Sequence, residues 1–96
     1  MERKNETKKQ LNELITLYNN TDFTNDKQIV DLINNVKESD IYTGISSDGE
    51  DLVLEVIKGK SISISFYQDN GFINRMIYTL DGANIIKENI YEPSGN

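Results

Sequence analysis

Residues 51–67 read DLVLEVIKGKSISISFY, two runs with a side-chain period of two on either side of Lys58-Gly59-Lys60. In a strand, residues i and i+2 share a face, so this stretch predicts a β-hairpin. The length of its loop determines which side chains meet. A two-residue loop at Gly59-Lys60 pairs Ile57 with Ile62 and sets Glu55 opposite Ile64, among the apolar residues of the next strand. A loop one residue longer pairs Val56 with Ile62, Leu54 with Ile64 and Leu52 with Phe66. An unpaired buried carboxylate costs several kcal/mol, more than any preference between turn types, so the longer loop is expected.

The same reasoning extends downstream. Asp69-Asn70-Gly71 predicts a second three-residue loop in which Gly71 supplies the left-handed residue. It places Phe72, Met76, Tyr78 and Leu80 on the face of Ile62, Ile64 and Phe66, and Asp81-Gly82 then reads as a two-residue turn pairing Tyr78 with Ile85. With Ser47-Asp48-Gly49-Glu50 as a further turn, five strands are expected near 40–46, 51–58, 61–67, 72–80 and 84–91. Connections this short join only antiparallel neighbours, which makes the sheet a meander.

Before Asp40 the period is helical. Leu11, Leu14, Ile15 and Tyr18 share one face of a first helix that stops in Asn19-Asn20-Thr21-Asp22, where side-chain oxygens compete for the backbone. Asn25 caps a second helix, with Gln28 as its capping-box partner, Ile29, Leu32, Ile33 and Val36 as its apolar stripe, and an end near Ser39. Neither stripe can bury itself alone. The expected fold is α+β, two N-terminal helices packed on one face of a five-stranded antiparallel β-meander. Residues 1–96 form a single domain, with 1–10 a frayed segment and 92–96 a loose tail.

Composition narrows the chemistry. The chain has no His and no Cys, which removes the commonest general base, the thiolate nucleophile, the soft metal ligands and the disulfide. No cofactor, no metal and no catalytic residues are expected. Asp48-Gly49-Glu50-Asp51 lacks the alternating oxygen ligands of a calcium loop, and exposed turn carboxylates do not provide the burial that sets two acids apart. Net charge is −6, and although Arg3, Lys4, Lys8 and Lys9 outweigh Glu2 and Glu6 at the start, the rest of the chain is acidic. Such a body repels nucleic acid and anionic membranes and attracts a basic protein. No apolar run has the length of a signal peptide or a membrane span, so the chain reads as cytoplasmic and its Asn5-Glu6-Thr7 and Asn19-Asn20-Thr21 sequons as unmodified. Its richness in Ile, Asn and Lys is associated with AT-rich bacterial and phage genomes.

Two features point to binding. The sheet face away from the helices is expected to carry Val53, Glu55, Ile57, a serine strip, Tyr67, Ile73, Arg75, Ile77, Ile86, Glu88 and Ile90, with Arg75 and Glu88 as cross-strand neighbours. Its bland account is β-propensity plus an ordinary surface ion pair; its functional account is a contact or dimerisation face with Tyr67 and Arg75 as anchors. The second feature is the acidic stretch Glu38, Asp40, Asp48, Glu50 and Asp51, which contains no Lys or Arg and is either a solvated loop or a docking site for a basic partner. Candidate partner-binding residues are therefore Glu38, Asp40, Asp48, Glu50, Asp51, Tyr67, Ile73, Arg75 and Glu88.

With a helical pair, a β-meander, Asp-Gly turns, an acidic body and no catalytic groups, the chain resembles the small immunity proteins that neutralise bacterial toxins. Phage-encoded inhibitors of host defence nucleases, anti-CRISPR proteins among them, are similar in the same way. The resemblance lies in the general plan and carries over no residue roles. It implies a non-enzymatic inhibitor that occupies the active or nucleic-acid-binding site of a basic toxin or nuclease. The alternative is a structural or adaptor module that dimerises through the open sheet face. A small-molecule receptor fits less well, because the core holds few polar groups to orient a ligand.

Overall fold

All the helix lies N-terminal to all the strand. The computed structural model describes residues 13–94, with α1 helical over 13–19, α2 over Asp26–Asn35, and strands β1 (Asp40–Ile45), β2 (Asp51–Ile57), β3 (Ser61–Tyr67), β4 (Phe72–Asp81) and β5 (Asn84–Pro93). The strands form one antiparallel sheet in the order β1-β2-β3-β4-β5, and the helices cover one of its faces: the fold is an α+β meander, as its periodicities predict. Leu11, the basic residues Arg3, Lys4, Lys8 and Lys9, and Gly95 and Asn96 lie outside the described residues.

The β2–β3 register is the one that keeps Glu55 out of the core. Val56 faces Ile62, Leu54 faces Ile64 and Leu52 faces Phe66, while Glu55 faces Ser63 on the open side. The β3–β4 loop also has its expected form: Gln68 N–H donates to Phe72 O at 2.9 Å, and Gly71 takes φ +85°, a conformation that costs a residue without Cβ little.

The last hairpin differs from expectation by two residues. Its loop is Gly82-Ala83 rather than Asp81-Gly82, so Leu80 pairs with Ile85 and Tyr78 with Lys87. The observed loop takes a left-handed backbone at its first residue only, which Gly82 supplies at φ +64°; a loop over Asp81-Gly82 would need that conformation at Asp81, where it costs more than at a glycine. A shift of two preserves which face each side chain occupies, so Ile85 still points to the core. β5 also runs further than expected. Glu92 and Pro93 are in the strand and Ser94 N–H donates to Gly71 O at 2.8 Å, so the tail is held through Ser94.

Leu14, Ile29, Leu32, Ile33 and Val36 from the helices meet Leu52, Leu54, Val56, Ile62, Ile64 and Tyr78 from the sheet in one buried cluster. Ile29, Ile33, Leu54, Ile62 and Val56 are fully buried, each burial contributing about 1.5–3 kcal/mol. Phe23, in the turn between the helices, lies 5.4 Å from Tyr18 and 5.3 Å from Tyr78, linking α1 to β4. Burial pushes the hydroxyl pKa of both tyrosines up.

Both ends of α2 are capped. Asn25 accepts from the N–H groups of Lys27 and Gln28, as expected. Gln28 does not close a capping box on Asn25; its Oε1 instead accepts the Asp22 N–H at 2.8 Å, fastening the inter-helix turn. At the other end α2 stops at Asn35 rather than near Ser39, because its last carbonyls are taken by the β2–β3 loop. Gly59 N–H donates to Ile33 O at 2.9 Å, and Lys58 Nζ donates to Asn34 O at 3.3 Å and to Val36 O. An ammonium there satisfies unpaired carbonyls at the negative end of the helix dipole.

Candidate partner-binding surface

Strand alternation carries the open face across all five strands. It presents Ile41, Thr43 and Ile45 from β1, Asp51, Val53, Glu55 and Ile57 from β2, the serines and Tyr67 from β3, Ile73 to Asp81 at alternate positions from β4, and Asn84, Ile86, Glu88, Ile90 and Glu92 from β5. Four of its isoleucines are exposed: Ile41 (54 %), Ile45 (65 %), Ile57 (42 %) and Ile86 (55 %). Ile41 and Ile45 are absent from the residues expected to bind. Extending the hairpin register one strand further back, which sets Ile45 against Asp51 and Ile41 against Glu55, is the signal that finds them.

The charge of this face is one-sided. Its strands contribute Asp51, Glu55, Asp81, Glu88 and Glu92 against the lone cation Arg75. Arg75 does not pair with Glu88. In the observed register it faces Ser65 on one side and Ile90 on the other, while Glu88 faces Ile77. Arg75 Nε donates to Ser65 Oγ at 2.9 Å, which gives the buried hydroxyl its partner.

Tyr67 and Ile73 stand directly opposite one another, beside Ser65 and Arg75, so three of the expected contact residues do come together. Ile73, however, is only 8 % exposed although it lies outside the helix-covered core, so it supports this face from within more than it offers a contact. The acidic stretch separates. Glu38 and Asp40 lie at the start of β1, whereas Asp48, Glu50 and Asp51 lie at the hairpin that follows it, with β1 between them spanning roughly 20 Å.

At the start of β1 a shallow cleft of about 370 Å³ is lined by Ser39, Asp40, Ile41, Glu55, Val56 and Ile57. It combines aliphatic walls with two carboxylates, a chemistry that suits the stem and head of a Lys or Arg side chain. On the helix side, Phe72 and Tyr91 stack at 5.0 Å, with Tyr91 OH bonded to Gln68 and Asn70. Among the described residues no three His, Cys, Asp or Glu side chains gather as a metal site, and no helix is long and apolar enough to cross a membrane. Comparison with models of protein families, with curated proteins and with solved structures finds no match to this chain.

Proposed function

We propose that the protein is a small, acidic, non-enzymatic inhibitor, cytoplasmic and of bacterial or phage origin, that binds a basic nucleic-acid-acting protein and blocks its active or nucleic-acid-binding site. The toxin-immunity and phage anti-defence (anti-CRISPR) types both act in this way. One observation carries the reading: Ile41, Ile45, Ile57 and Ile86 are exposed on a face whose strands supply five named carboxylates and a single guanidinium already engaged with Ser65. Apolar area retains a partner, and the surrounding negative charge selects a basic one and accelerates its approach. The lack of His and Cys supports binding rather than catalysis. No direct nucleic-acid or membrane binding belongs to this reading. The alternative, a homodimeric adaptor, would set those carboxylates against their own copies, a like-charge juxtaposition that costs several kcal/mol at an interface.

Co-purification from the native cell tests it, with the protein compared against an Ile41→Lys/Ile57→Lys variant. The reading expects a basic nuclease, toxin or other nucleic-acid-acting protein to be retained by the parent and lost by the variant. Retention of acidic proteins only, or equal retention by both, contradicts it.

A further inference from the structure

The two edges of the sheet are unlike. β5 carries Lys87, Glu88, Glu92 and Pro93 along its length, the charges and proline with which natural edges resist further pairing. β1, the opposite edge among the described residues, reads Asp40-Ile41-Tyr42-Thr43-Gly44-Ile45 and has no charge, proline or break after its first residue.

The hydrogen-bond phase of β1 follows from its hairpin. Ser46 N–H donates to Glu50 O at 2.8 Å, so these two form a hydrogen-bonded pair. Such pairs alternate with non-bonded ones along an antiparallel ladder. Gly44, Tyr42 and Asp40 therefore turn their backbone groups to β2, while Ile45, Thr43 and Ile41 turn theirs outward. Of these outward groups the Ile41 N–H is taken by Asp40 Oδ1 at 2.8 Å, whereas no described residue bonds the N–H of Thr43 or Ile45. Among the described residues this is an open template for a strand, with carboxylates at both ends: Glu38 and Asp40 before it, Asp48 and Glu50 after it.

We propose that the edge of β1 takes up, as a sixth strand, an extended segment of a protein partner whose centre is uncharged and whose two ends carry Lys or Arg. Strand addition draws affinity from main-chain hydrogen bonds and selectivity from the side chains around them. A second copy of this chain fits the centre of the edge but not its ends. Antiparallel self-pairing about Thr43 matches Ile41 with a second copy's Ile45, yet it sets Glu38 beside that copy's Asp48 twice over, by symmetry. The charge that refuses a copy favours a basic-flanked strand. The inference rests on the reading above in one respect, the positive charge of the partner.

The test uses the full chain and two end-blocked peptides, KKTVTVTKK and EETVTVTEE, with amide hydrogen exchange read by NMR at low salt. The proposal expects the lysine-flanked peptide to slow exchange at Thr43 and Ile45 while leaving β5 unchanged, and to bind about threefold to tenfold more tightly than the glutamate-flanked one, as a few exposed charge pairs allow. In a Glu38→Lys/Asp48→Lys variant the preference should invert. Protection at Thr43 and Ile45 without peptide, rising with protein concentration and with salt, would assign the edge to a second copy and overturn the proposal. Equal binding of both peptides, or protection by neither, would overturn it as well. A basic partner whose affinity is unchanged by Thr43→Pro removes this inference and leaves the inhibitor reading intact. Peptide protection at the edge in a protein that retains no basic partner does the reverse.

Discussion

Arg75 Nε lies 2.9 Å from the Oγ of Ser65, its direct opposite on β3, so the only cation that the described residues place on the open face is fastened to the sheet. A guanidinium held in this way presents its remaining donors and its flat side in a fixed place, next to the Tyr67–Ile73 pair.

If this fixed group and the neighbouring phenol anchor a partner, truncating either accelerates dissociation. Tyr67→Ala and Arg75→Ala are each expected to weaken binding by about 1–3 kcal/mol, almost all of it in the dissociation rate. Arg75→Lys retains the charge but loses the fork, and is expected to behave like Arg75→Ala. Surface-plasmon kinetics on the captured partner measure this; unchanged dissociation in all three variants excludes the pair as anchors.

On the proposed function, the hairpin carboxylates act at longer range. Replacing Asp48, Glu50 and Asp51 by Asn or Gln should slow association and flatten its dependence on salt, with the dissociation rate and the circular dichroism spectrum unchanged. Stopped-flow association at two ionic strengths reads both effects.

Stability separates the two faces differently from side-chain alternation alone. Leu54→Ala and Ile64→Ala are expected to cost about 2–5 kcal/mol, and Ile86→Ala and Ile41→Ala within about 0.5 kcal/mol. Ile73 is buried although it faces away from the helices, so Ile73→Ala is expected near the lower end of the core range. Urea denaturation of the five variants ranks them. An Ile73 variant as tolerant as Ile86 would show that the open face gives it no cover.

Charge at the helix ends makes stability pH-dependent in two windows. Thr24 donates its hydroxyl at 2.6 Å and its N–H at 2.9 Å to Asp22 Oδ1, and these bonds hold the carboxyl below the ordinary aspartate range. A lowered value means a contribution present above the unfolded pKa, about 3.9, and lost as pH falls through the folded one. The bond from Lys87 Nζ to Asp26 Oδ1, 2.8 Å long, raises the lysine instead. Its contribution is present below the unfolded pKa of about 10.4 and is lost as pH rises through the folded value. Carbon-detected NMR titration should place Asp22 below and Lys87 above their ordinary values. Asp22→Asn should remove part of the acid limb only.

The sequence makes a strand register legible where a wrong register would bury a charge. Glu55 penalised any slip of β2 against β3 by one residue, so that pairing and its loop were legible. Nothing comparable marks β5. A slip of two keeps Ile85 on the core side and Ile86, Glu88 and Ile90 on the other, so only the backbone demand met by Gly82 distinguishes the two registers. The lost Arg75–Glu88 pair follows directly. The cover of Ile73 was hidden for a related reason, since it depends on what stands across from it, Tyr67 on β3 and Glu92 on β5, and the second of these is set by the unread register. The acidic residues lie close in the chain, but an extended strand separates them in space.

Exclusion of nucleic acid from a basic partner, the proposed mode of inhibition, is measured by displacement. Once the partner is captured, its complex with fluorescent nucleic acid is titrated with this protein and anisotropy is followed at low salt. The nucleic acid is expected to be released as one equivalent is added, and release is expected to weaken for the Asp48, Glu50 and Asp51 variant. A ternary complex, with nucleic acid retained at saturating protein, would contradict it.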